Sequence, residues 1–153
     1  MQLSYDKHMA EAVLGQKGGT FQPEVIVSLL AEADVGIGAP VELGTDPEKQ
    51  CTPLTDADAW AGVALLTLGM EQDAAGVVKY AAERMVPVMQ VGRVYVTAGA
   101  AVAAGIEVVP ATSGKFSGGT SDGPLKAFSV GSAAADGDLL LIELVGKQGT
   151  PTT

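Results

Sequence analysis

The chain has 153 residues and a net charge of −9, with 47% hydrophobic, 5% aromatic and 18% charged residues. That length suits one domain, or one domain with an arm, and the hydrophobic share excludes a chain disordered by composition. With two Arg, seven Lys and no basic stripe, the chain lacks the clustered cations that neutralise phosphates, so direct nucleic-acid binding is not expected, and an anionic membrane would repel it.

Residues 1–23 read as an N-terminal arm. From Leu3 to Leu14 the apolar residues Tyr5, Met9, Ala12 and Val13 recur at helical spacing, with Ser4 as N-cap and Gly15 as stop. A helix this short is marginal alone, because about 12–15 residues are needed even for good sequences. It therefore needs a surface to lie on. Gly15 to Thr20, with the Gly18-Gly19 pair, reads as a flexible connector. Folding of the helix back onto its own domain is the competing reading.

From Glu24 onward the pattern changes to short β-like runs punctuated by Gly, Pro and Asp. Glu24 to Leu30 is one and Pro40 to Leu43 another, the latter entered by a Gly36-Ile37-Gly38 turn. Gly44 to Pro53 is polar and reads as a turn around Asp46-Pro47. Trp60 to Leu68, Gly76 to Tyr80, Val86 to Gln90 and Gly92 to Thr97 follow. In the last of these Val94 and Val96 alternate with Tyr95, which places the valines inward. Ile106 to Val109, Leu125 to Val130 and Asp138 to Val145 complete the set, with Leu140, Ile142 and Leu144 on one face.

Thr97 to Ala104 is alanine-rich and favours helix by propensity. Gly99 and Gly105 leave it room only for a tight turn, with one helical turn at most. Asp73 to Met85 is ambiguous between helix and strand. Ser113 to Pro124 reads as a polar, glycine-rich loop, mobile or pinned by a neighbour. The fold class is therefore mainly β: a small barrel or sandwich over residues 24–147, carrying an extended arm with a short helix, and ending in a flexible tail at 148–153.

Residues able to do chemistry are scarce. His8 is the only histidine and Cys51 the only cysteine. They lie too far apart to suggest a metal motif, and no intrachain disulfide is possible. Without a positioned base Cys51 reads as a small buried residue rather than a nucleophile. Asp56 and Asp58 lack the further oxygen ligands of a calcium loop and read as turn and cap residues. Asp136-Gly137-Asp138 reads as a turn before the last strand.

Gly114-Lys115 is not embedded in a phosphate loop, and Gly36-Ile37-Gly38 has no third glycine or βαβ unit. The tip Ala98-Gly99-Ala100-Ala101 carries no lysine for a prosthetic group. No catalytic residue, cofactor or metal is expected. The opening residues lack a basic region followed by an apolar run, so no signal peptide is expected, and no stretch approaches the roughly 18–20 apolar residues of a membrane span.

Three stretches, in order along the chain, resemble the phage capsid cement, or decoration, proteins. The first is Tyr5-x-x-x-Met9-Ala10-x-Ala12 followed by Gly15-Gln16. The second is Gly38-x-Pro40-Val41-Glu42-Leu43-Gly44 with Trp60-Ala61-Gly62-Val63-Ala64. The third is Gly92-Arg93-Val94-Tyr95-Val96 through Val102-x-x-Gly105 to Ser113-Gly114-Lys115-Phe116, closed by Gly137-Asp138-x-Leu140-x-x-Glu143-Leu144. The family's usual Gly-Asp before the central strand pair is replaced by Ala82-Glu83-Arg84-Met85.

The resemblance implies a β-barrel-like, non-enzymatic virion protein on the outer capsid surface, present in the host cytoplasm during assembly. Its implied partners are the major capsid protein and further copies of itself, a homotrimer ahead of a homodimer. On this reading Tyr5, Met9 and Val13 anchor the arm, and Gly18 and Gly19 set its reach. Another virion or tail component, or a generic β-rich binding module, is the alternative.

Overall fold

The computed structural model describes residues 14–18, 24–67, 78–123 and 125–147. Eleven strands lie among them: β1 (Val25–Ala31), β2 (Val35–Gly36), β3 (Pro40–Leu43), β4 (Gln50–Pro53), β5 (Trp60–Ala64), β6 (Lys79–Tyr80), β7 (Met85–Thr97), β8 (Val108–Pro110), β9 (Phe116–Gly118), β10 (Leu125–Ser129) and β11 (Leu139–Lys147). The expected arm helix at Leu3–Leu14, the tail at 148–153 and the first part of the ambiguous 73–85 stretch lie outside the described residues.

Strand pairing closes a ring. β1 pairs with β4 in parallel, and β4 with β3, β3 with β5, β5 with β7 and β7 with β1 run antiparallel. Closure leaves this five-stranded barrel without a free edge of its own. Its interior is small and aliphatic, built from Leu29, Val35, Val41, Val86 and Val88, with Cys51 fully enclosed. The barrel expected from the strand pattern is present.

β7 leaves the barrel and continues as the centre of a second layer. Its distal half pairs with β11, which pairs with β10. Val94 and Val96 from β7, Leu140, Ile142 and Leu144 from β11, and Leu125 and Ala127 from β10 are all buried on one side. Trp60 and Phe116 join them, edge-to-face with each other, ring centres 5.4 Å apart. One long strand thus feeds two apolar cores.

The sequence suggests two strands where the structure has one, because β7 is bent rather than broken. The β1–β7 register slips between Val25 and Ile26, and Gly92 has φ 130°. Leu65 donates to the Pro87 carbonyl, and Gly15 bridges Leu66 and Tyr95. Pro87 and Tyr95 are therefore at most about 16 Å apart through these bonds, whereas eight residues of straight strand span about 26 Å. A bulge together with a glycine at positive φ is a common way to turn a strand.

One further expectation changes and two open ones resolve. Gly44 to Pro53 contains β4 after its Asp46–Gln50 turn. Of the two readings of the glycine-rich loop, the pinned one holds over 113–123: Phe116 is fully buried, β9 pairs with β8, and Gly123 packs against the backbone of Asp58. Residues 97–104 form no helix; Val102 bridges to Ala133 through paired backbone bonds of 2.9 Å each.

Candidate interaction surface

The residues singled out for chemistry take structural roles. Cys51 is fully buried, and burial, reinforced by the Glu32 carboxylate, pushes its thiol up to about 11. A neutral, enclosed thiol is a poor nucleophile. Asp56 caps a short 3-10 turn at Ala57–Ala59, accepting from the Asp58 amide at 3.0 Å. Glu42 binds the amides of Thr55 and Asp56 and the Thr55 hydroxyl. Asp138 accepts from the Ala134 and Ala135 amides beside Gly137 at φ 91°. Among the described residues no three His, Cys, Asp or Glu side chains are grouped to hold a metal ion.

Tyr80 is also buried, and its hydroxyl donates to the Leu65 carbonyl at 2.5 Å and lies 2.6 Å from Thr67 Oγ1. Burial pushes its pKa above the usual tyrosine value, and the Thr67 hydrogen bond partly offsets this. Its polar end is satisfied inside the protein.

Of the expected arm contacts, Tyr5, Met9, Val13 and Gly19 lie outside the described residues. Gly18 is placed, and it is no free pivot. Its amide donates to the Arg93 carbonyl at 2.8 Å, and a Cβ there would collide with the Leu141 side chain. Gly15 donates to Tyr95, Tyr95 donates to Gln16, and Leu66 donates to Gly15. The expected flexible connector is therefore, at 14–18, a strip stitched along β7. Gly15, at φ 79°, is held where a Cβ would crowd the Gly38 and Leu66 amides at 3.0 Å.

What the sequence reading missed is a surface. Alternation along β7, β10 and β11 sends one set of side chains inward and leaves a second set on the outer face. Register sets the rows on that face. Val25 and Val145 both lie opposite Val91. Phe128 lies opposite Glu143, and Glu143 opposite Arg93. Leu141 lies opposite Tyr95. Arg93 Nε is 4.0 Å from Glu143 Oε1, and this buried nitrogen has no hydrogen-bond partner. The alternation in each strand was legible, but the row that joins three strands is a product of register.

Such a face has no arrangement for acid–base or nucleophilic work. Aromatic and aliphatic side chains around an arginine are what protein contacts use.

Comparison with known proteins shows a family and a fold. The family model for phage cement, described as structural cement protein, matches residues 1–145. A chain from the capsid of Myoviridae phage XM1 is similar in fold, with TM-score 0.61 at 15% identity, covering 90% of this chain and 92% of that one. The head fiber gp8.5 N base of bacteriophage phi29 aligns with TM-score 0.47 at 14% identity, over 84% of this chain and all of that one. No curated protein matches the chain in sequence.

Proposed function

Because the chain belongs to the phage family of structural cement proteins, we propose that it binds the outer surface of an assembled head and stabilises contacts between major capsid protein subunits. The observation that carries this is the family match itself, which runs through the arm, the barrel and the second layer, ending within β11. The burial of Cys51 and the tie-down of Asp56 and Asp138 support a protein that does no catalysis.

The mechanism is mechanical. Residues 1–13 form the reaching arm, with Tyr5, Met9 and Val13 as its apolar anchors. Gly18 is bonded to β7 within the stitched strip, so a pivot there does not govern residues 1–13. The arm joins the body at Gly15, where the strip begins its bonds to β7. A short segment that is marginal alone orders against a partner, and several such contacts on one shell add through avidity. The double-layered domain supplies a rigid body between them.

The test is co-sedimentation of purified protein with assembled heads of the cognate phage that lack it. The full chain should pellet with heads to a saturating ratio. Deletion of residues 1–13 should weaken binding at least tenfold while leaving the β spectrum unchanged. Full-length protein that stays in the supernatant rejects the reading. Unchanged binding by the deletion rejects only the arm.

A further inference from the structure

The chain's excess of negative charge does not extend to the outer face of β10, β11 and distal β7. There, Arg93 Nε is 4.0 Å from Glu143 and Lys126 Nζ 3.4 Å from Glu107. Each of these acids has a base beside it, so the charges at these rows balance on a chain of net charge −9. It is also where exposed apolar side chains collect. Seven large ones are exposed among the described residues, and four of them, Val25 (45%), Phe128 (41%), Leu139 (37%) and Val145 (39%), stand on this face.

At its centre an acid and a base lie side by side. The Arg93–Glu143 separation of 4.0 Å is too long for a hydrogen bond. The pair is therefore loosely made within one molecule. A patch with adjacent opposite charges is complementary to itself after a half-turn, the condition for an isologous contact.

We infer that this face is the contact between two copies of the chain, related by a two-fold axis, with Arg93 of each copy against Glu143 of the other. Neutrality lets two acidic molecules meet here without the repulsion they feel elsewhere. Phe128, Tyr95 and the valine row supply the apolar area around the charges.

Size sets the strength. Five backbone rows, from residues 14–18 across β7, β11 and β10 to residues 105–107, span about 20–24 Å, and seven residues of strand about 23 Å. That gives on the order of 500 Å² from each copy, at the lower limit of specific interfaces. The contact is accordingly weak in solution and becomes effective when both copies are held on one shell. A self-complementary face pairs two molecules, so this contact makes the homodimer and not the homotrimer that the family resemblance favours. The inference deepens the proposed structural role, but its test needs no heads.

Sedimentation velocity of the full chain over a range of concentrations tests it, with circular dichroism to confirm that each variant is folded. The wild type should dimerise in the micromolar range. Arg93→Glu and Glu143→Arg should each weaken dimerisation at least tenfold, since like charges then face each other twice. An equimolar mixture of the two single variants should recover it, as should the double variant, because either restores both contacts. A wild type that stays monomeric at every concentration overturns the inference. So does association indifferent to both swaps, or loss in the singles without recovery in the mixture. Swaps that abolish binding to heads in a protein that never dimerises would also overturn it, giving the face to the shell while leaving the proposed function standing.

Discussion

Gly62 sits where β5 crosses β7 so closely that a Cβ would fall 2.5 Å from Val88 Cγ1 and 2.6 Å from the Met89 carbonyl oxygen. Its own carbonyl accepts from Trp60 Nε1 at 2.7 Å. Gly62→Ala should therefore cost on the order of 2–3 kcal/mol, the range for forcing extra volume into a packed core, measured by chemical denaturation. Cys51 gives a second expectation. Its folded ionisation is raised from about 9 to about 11, so the folded state holds the proton more tightly. The associated stability is present below pH 9 and is lost as pH rises through 11, by roughly 1–3 kcal/mol. Tyr80 acts in the same direction, so the Cys51 share is read as the slope that disappears in Cys51→Ala. Thiol reagents at pH 8 should label the wild type only on unfolding. The burial of Cys51 and the cap at Asp56 were legible from residue type. The crowding at Gly62 was not, because it depends on which strand lies beside it.

The strip at residues 14–18 makes four backbone hydrogen bonds to β7 and to Leu66. At about 1 kcal/mol net each, removing it should destabilise the fold by roughly 3–5 kcal/mol. Deletion of residues 1–18 should thus lower the melting temperature well below that of a chain lacking only 1–13, which should melt close to the wild type. Equal melting of the two would show that the strip carries no stability. At this scale the sequence was readable where apolar runs between turn signals were strong: β1, β3, β5, β10 and β11 fall within a residue or a few of the expected runs. β4 was hidden because Gln50-Cys51-Thr52-Pro53 carries one apolar residue between polar ones. β9 was hidden by the glycines around Phe116. The strip was hidden because glycine spacing reads as freedom, while here the absent side chains permit close approach to Gly38, Leu66 and Leu141.

The whole molecule has two cores on one strand. Val86 and Val88 of β7 pack in the barrel, and Val94 and Val96 of the same strand pack under β11. Shared through β7, the cores should unfold together. Phe116→Ala, which removes half of the Trp60–Phe116 contact, should cost about 3–5 kcal/mol and shift a single calorimetric transition without splitting it. Two separated transitions would mean that the layers fold independently. The barrel class was legible because turn signals recur along the whole domain, whereas the second layer and its outer face depend on pairings between strands far apart in sequence. The outer face rests on register alone, since no run of residues in the chain spells out the row Val25, Val91, Val145.

The central claim is that this body holds a shell together. Its most direct test is the temperature at which emptied cognate heads rupture, followed by light scattering, with and without saturating protein. The account predicts a higher rupture temperature that rises with occupancy and returns to the bare value when residues 1–13 are deleted. Heads that rupture at the same temperature whether bare or fully occupied would contradict it.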